Sequence, residues 1–105
     1  MKIEISQQKI VWTSHSKQKM RYYRFSDSRV LRILRKPDRI EEGIAPQTCA
    51  SMQKSGTKKH PTEVWLMWQK RRNKIIIISA WRFPGITPVG QRPQIPQDTL
   101  EELSL

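Results

Sequence analysis

The sequence predicts an α+β fold: a strand, two helices, then a curved antiparallel sheet of three to four strands, and a proline-rich tail. Two short segments with helical spacing stand together before Pro37. Two runs of strand character, Glu63–Gln69 and Lys74–Trp81, are joined by a short polar turn. After Pro84 the prolines Pro88, Pro93 and Pro96 forbid central strands. Helices segregated from an antiparallel sheet define the class.

Each element has a local reason. Lys9–Trp12 (KIVW) reads as a short strand, after which Thr13 or Ser14 offers an N-cap for a helix over Ser14–Tyr22. On that helix His15, Gln18, Lys19 and Tyr22 share one stripe. Ser26 and Asp27 open a second helix running to Lys36, with Val30, Ile33 and Leu34 as its core stripe and Arg29, Arg32, Arg35 and Lys36 outward. Pro37 stops it. Arg39–Glu42 reads as a strand ended by Gly43, and Thr48–Gln53 as a weak strand ending in the polar loop Lys54–Pro61. In Glu63–Gln69, Val64, Leu66 and Trp68 point one way and Trp65 and Met67 the other. Lys74–Trp81 (KIIIISAW) is apolar on both faces, which suits a central strand. Asp98–Leu103 has room for a helical turn or two, anchored by Leu100 and Leu103. Residues 1–83 are thus expected to form one domain, and 84–105 a tail that wraps it or docks a partner.

Composition narrows the class of protein. The chain has 105 residues, with Lys+Arg 20 against Asp+Glu 9 and a formal net charge of +11. Four Trp and the isoleucine run argue against a disordered basic chain. Cys49 is alone, so a disulfide framework is excluded, and no apolar run approaches the ~20 residues of a membrane span. The N-terminus MKIEISQQKI lacks the apolar stretch of a secretory signal, so a soluble, cytoplasmic protein without membrane association is expected. The charge is uneven: residues 1–36 carry ten Lys or Arg against two acids, while residues 83–105 carry one against three. A phosphate-facing surface would need such an asymmetry, although a basic face kept for solubility has the same composition.

Few residue sets carry chemistry. His15, Cys49 and His60 lack metal-ligand spacing, the four Gly form no phosphate loop, and no Ser sits in a nucleophile elbow, so no metal or cofactor is expected. A basic and aromatic set remains. Histidine is the residue type suited to proton transfer near neutral pH, so His15 is a candidate proton shuttle, or a histidine that caps or packs at its helix start. Lys19 shares its stripe, with Arg21 beside it. Arg82 ends the buried strand, poised to clamp a phosphate or to pair with Glu63 or Glu42. Of the four Trp, Trp81 is the candidate for stacking on a base.

These residues resemble a known family. The segment Trp12–Pro37, with His15 opening the first helix, basic residues after it and a second helix ending in a proline, resembles small domains of the BrnT type. These belong to the RelE/ParE-like toxin superfamily. The strand IIIISAWRFPG (Ile75–Gly85) is similar to their Ile-Ile-Ser-Ala-Arg strand, and the likeness spans residues 9–83. Trp81 stands where the family usually carries a basic residue, and Pro84–Leu105 has no counterpart. The resemblance implies a curved antiparallel sheet, RNA cleavage in many relatives, and an acidic antitoxin partner.

The functional expectation is a metal-independent endoribonuclease, in which the ribose 2′-hydroxyl attacks the adjacent phosphate and leaves a cyclic phosphate. His15, Lys19 and Arg82 would be catalytic, with Arg21, Arg29, Arg32 and Trp81 binding RNA. That chemistry requires a proton shuttle and cations around one phosphate. The alternative is a non-catalytic basic module that binds RNA or an acidic protein through the same surface.

Overall fold

A computed structural model of the chain describes residues 8–103; the N-terminal stretch read as lacking a secretory signal falls largely outside them. The elements are β1 (Lys9–Trp12), α1 (Ser14–Tyr23), α2 (Asp27–Arg35), β2 (Arg39–Glu42), β3 (Thr48–Gly56), β4 (Pro61–Arg71), β5 (Lys74–Pro84) and α3 (Gln97–Glu102). The class is α+β as expected. The sheet, however, has five strands in the order β1-β5-β4-β3-β2 and is mixed, where three to four antiparallel strands were expected. The difference is β1, which joins the edge parallel to β5, from Lys9 opposite Lys74 to Trp12 opposite Ile77. Parallel neighbours need a long crossover, and α1 and α2 lie within it.

The two helices fold for the reasons read from sequence. Thr13 and Ser26 cap them, each side-chain oxygen accepting a backbone N–H three residues on. Val30, Ile33 and Leu34 are fully buried, each contributing roughly 1.5–3 kcal/mol of apolar burial. With Met20 and Phe25 they cover Val64, Leu66, Trp68, Ile75, Ile77 and Ala80 on one face of the sheet. The opposite face holds Ala50, Met52, Trp65, Met67, Ile78 and Trp81, with Phe83 of β5 and Ile95 and Leu103 of the last segment packed on it.

One irregularity sets the position of α1. Trp68 pairs with Ile77 and Met67 with Ser79, so Ile78 is an extra residue in β5. The Thr13 hydroxyl donates to the carbonyls of Ile77 (2.8 Å) and Ile78 (3.2 Å) at this bulge, fixing the helix start where β1 stops. From there α1 packs on β5.

The tail is tied down by polar contacts. Glu63, 2 % exposed, accepts from the Thr87 hydroxyl (2.6 Å), the Thr87 N–H (3.1 Å) and the Trp65 indole (3.0 Å). Arg39 donates to the carbonyls of Thr87, Pro88 and Gln91. Buried groups that keep their hydrogen bonds avoid the cost of desolvation, so these contacts fix the path of Thr87–Gln91 across β2 and β4. Among the described residues no helix is long and apolar enough to cross a membrane.

Candidate functional site

The end of α1 builds the most distinctive surface of the molecule. The helix closes with Arg24 in the left-handed conformation (φ 61°), the Arg24 N–H donating to Arg21 and the Phe25 N–H to Met20. This is the closing motif that glycine ordinarily serves, and an arginine there carries backbone strain. The reversal sends Phe25 into the core, 5 % exposed, and leaves Arg24 at the surface. An open hollow of about 450 Å³ lies beside it, lined by Lys17, Met20, Arg21, Arg24, Phe25, Ser26 and Asp27.

Phe25 organises the cations around it. The Arg82 guanidinium lies 5.1 Å from its ring centre and that of Arg29 5.3 Å. Tyr23 stacks on the same ring at 5.4 Å, with planes 14° apart, and Lys19 Nζ lies 5.1 Å from Tyr23. Cations over aromatic faces are held by the ring quadrupole. Arg29 is further oriented by donating from Nη2 to Ser55 Oγ at 3.0 Å. Burial pulls the pKa of Arg29 down, and the charges of Arg82 and Arg32 pull it the same way. Two like charges therefore act on Arg29, and among the described residues no carboxylate pairs with any of the three. Arg82 makes neither of the ion pairs, to Glu63 or Glu42, that its position in sequence allowed.

His15 and Lys19 are placed differently. His15 Nε2 shares a 3.1 Å hydrogen bond with Ser79 Oγ, which in turn shares one of 2.8 Å with Thr99 Oγ1 of α3. His15 Nδ1 is 3.9 Å from Glu102, and Lys19 Nζ is 2.7 Å from Asp98. The order Ser79, His15, Glu102 superficially resembles a nucleophile, base and carboxylate. Ser79 is fully buried beneath Thr99, and a 3.9 Å separation is not a hydrogen bond, so no attacking group is presented.

The expected convergence of His15, Lys19 and Arg82 on one hollow is thus not what the fold builds. Arg82 pairs across the sheet with Val64 and projects toward Phe25 and α2, whereas Ser79, Trp81 and Phe83 alternate onto the other face. His15 goes with Ser79, while Lys19 lies over Tyr23 and Arg82 over its stacking partner Phe25. Trp81 is also corrected: it is 1 % exposed and stacks on Trp65, its partner across the strands, at 6.4 Å and 11°. A base has no access to it. Arg21 lines the hollow, and Arg29 and Arg32 stand on the helix face read for them.

Sequence reasoning overlooked Tyr23, Arg24 and Phe25, although the run Arg21-Tyr22-Tyr23-Arg24-Phe25 interleaves bases and aromatics visibly. Among the described residues no group of three His, Cys, Asp or Glu side chains comes together as metal ligands. Comparison of the chain with protein-family models, curated proteins and solved structures gives no match. The arrangement itself is a strip of fixed cations on an aromatic spine, suited to a chain of anionic groups.

Proposed function

We propose that this protein is a basic RNA-binding module that grips the phosphate backbone along the strip from Arg29 and Arg82 to Arg21 and Arg24. The observation that carries the reading is the Arg29–Phe25–Arg82 arrangement, two guanidiniums against one ring beside Arg32 without a carboxylate partner among the described residues. Bringing like charges together costs free energy that a bound phosphate returns, and guanidiniums match phosphate oxygens in pairs. The resemblance of His15, the Ser26–Lys36 helix and the Ile75–Gly85 strand to BrnT-like domains supports RNA as the polyanion.

Binding is favoured over cleavage. A 2′-hydroxyl attack needs its proton acceptor beside the cations that hold the phosphate. His15 is instead engaged by Ser79 and sits against Glu102, its side chain 12 % exposed, away from Arg82. The test is a binding titration with a labelled single-stranded RNA, run with an EDTA cleavage assay on the same samples. Arg29→Ala/Arg82→Ala is expected to weaken binding at least about tenfold, while Lys58→Ala/Lys59→Ala, in the turn between β3 and β4, has a small effect. Equal losses in the two double variants would refute the assignment, and EDTA-resistant cleavage abolished by His15→Ala would restore the nuclease.

A further inference from the structure

We propose that α3 is an internal plug: its carboxylates occupy an anion subsite formed by Lys19 and His15, and RNA phosphate takes their place. The inference rests on the RNA-binding reading and extends the strip by one position, since Tyr23 joins Lys19 to Phe25. Three observations support it. The subsite already holds an anion, because Lys19 Nζ, 14 % exposed, meets Asp98 at 2.7 Å and His15 lies 3.9 Å from Glu102. The occupant comes from residues 83–105, which carry three acids against one base in a chain of net charge +11. And α3 is short. It has six residues, too few for a helix to persist alone, and its N-cap Pro96 makes no side-chain bond. It is held by buried Thr99, hydrogen-bonded to Ser79, and by the two acidic contacts, with Ile95 before it and Leu103 after it against the tail-side core. Its upstream anchor at Glu63 and Arg39 is separate, so α3 can detach while Thr87–Gln91 stays in place.

The proposal gives α3 a differential role: docked, it withholds Lys19 from the strip, and undocked it returns it. Asp98→Asn should therefore raise affinity for a single-stranded RNA by about five-fold or more. Glu101→Gln is the control, since it changes net charge equally and Glu101 is exposed with no contact to Lys19 or His15. Lys19→Ala should cancel the gain when combined with Asp98→Asn. In wild-type protein, RNA should speed amide exchange at Leu100 and Leu103, whose N–H groups bond within α3. A gain from Asp98→Asn no larger than that from Glu101→Gln, or exchange at Leu103 unchanged on binding, would overturn the plug while leaving RNA binding through Arg29 and Arg82 intact. If neither wild type nor Asp98→Asn binds RNA, the underlying reading itself fails.

Discussion

Tyr23 and Phe25 stack with ring centres 5.4 Å apart, and each ring carries a cation, Lys19 on the first and Arg82 on the second. The pair joins a helix end to the last strand. Tyr23 packs against the apolar clusters on both faces of the sheet, so the spine is anchored in the core that makes the fold stable. Lys19 and Arg82 are thereby placed against rings that are anchored in the core.

The cations and Phe25 should be energetically coupled. Phe25→Leu keeps an apolar side chain but removes the ring, and should destabilise by about 1–3 kcal/mol. In a double-mutant cycle with Arg82→Ala, measured by urea unfolding, a coupling of about 0.5 kcal/mol or more is expected. Strict additivity would mean that the 5.1 Å approach is packing without attraction.

Arg24 poses stability against binding. Glycine suits its φ of 61°, so Arg24→Gly should raise stability by up to about 1 kcal/mol while weakening RNA binding several-fold. Chemical denaturation and the binding titration report the two effects. A variant that is both more stable and binds equally well would remove Arg24 from the interface.

Asp98 predicts a specific pH dependence. Burial pushes its carboxyl up, but the hydrogen bond and charge of Lys19 and the charge of His15 outweigh it, and the net pKa lies below the usual carboxylate range. A depressed pKa contributes stability above the unfolded-state value, which is lost as pH falls through the native one. The stability gap between wild type and Asp98→Asn should thus be present at pH 7, about 0.2–1 kcal/mol for a partly exposed pair, and close in acid. Lys19→Ala should flatten the difference, and Glu102→Gln should alter it little, because Glu102 faces His15. A gap that widens on acidification would contradict the sign.

Glu63 predicts how the tail is held. Its oxygens only accept, so Glu63→Gln turns an N–H₂ toward the Thr87 or Trp65 donors and should cost about 1–3 kcal/mol. Amide exchange at Thr87 should accelerate more than exchange in α2. Uniform acceleration would indicate general destabilisation instead.

Much of the fold was legible in local signals. Val30, Ile33 and Leu34 carry a clear period, Ser26 caps, and Pro37 stops, so α2 was readable to within a residue or two. The bounds of β1 and β2 were readable for similar reasons, but not the partner of β1: nothing within Lys9–Trp12 says that it lies beside Ile75–Ile77. β3 runs on to Gly56, past the expected Gln53, because pairing with Pro61–Val64 supplies order that its polar residues do not advertise. The site was less legible. Trp81 looked available until the register set it against Trp65, and the extra residue at Ile78 breaks simple alternation along β5. The partners of His15 and Lys19 lie 64 and 79 residues away, a distance at which charge asymmetry hints at attraction and names no pair.

The most direct measurement is the salt dependence of RNA affinity for wild type and Arg29→Ala/Arg82→Ala. Each phosphate contact on a single strand contributes about 0.7 to the slope of log K against log salt. Loss of two contacts should flatten the slope by about 1.4, with weaker binding at low salt. Identical slopes and affinities in the two proteins would contradict the assignment of these arginines to phosphate.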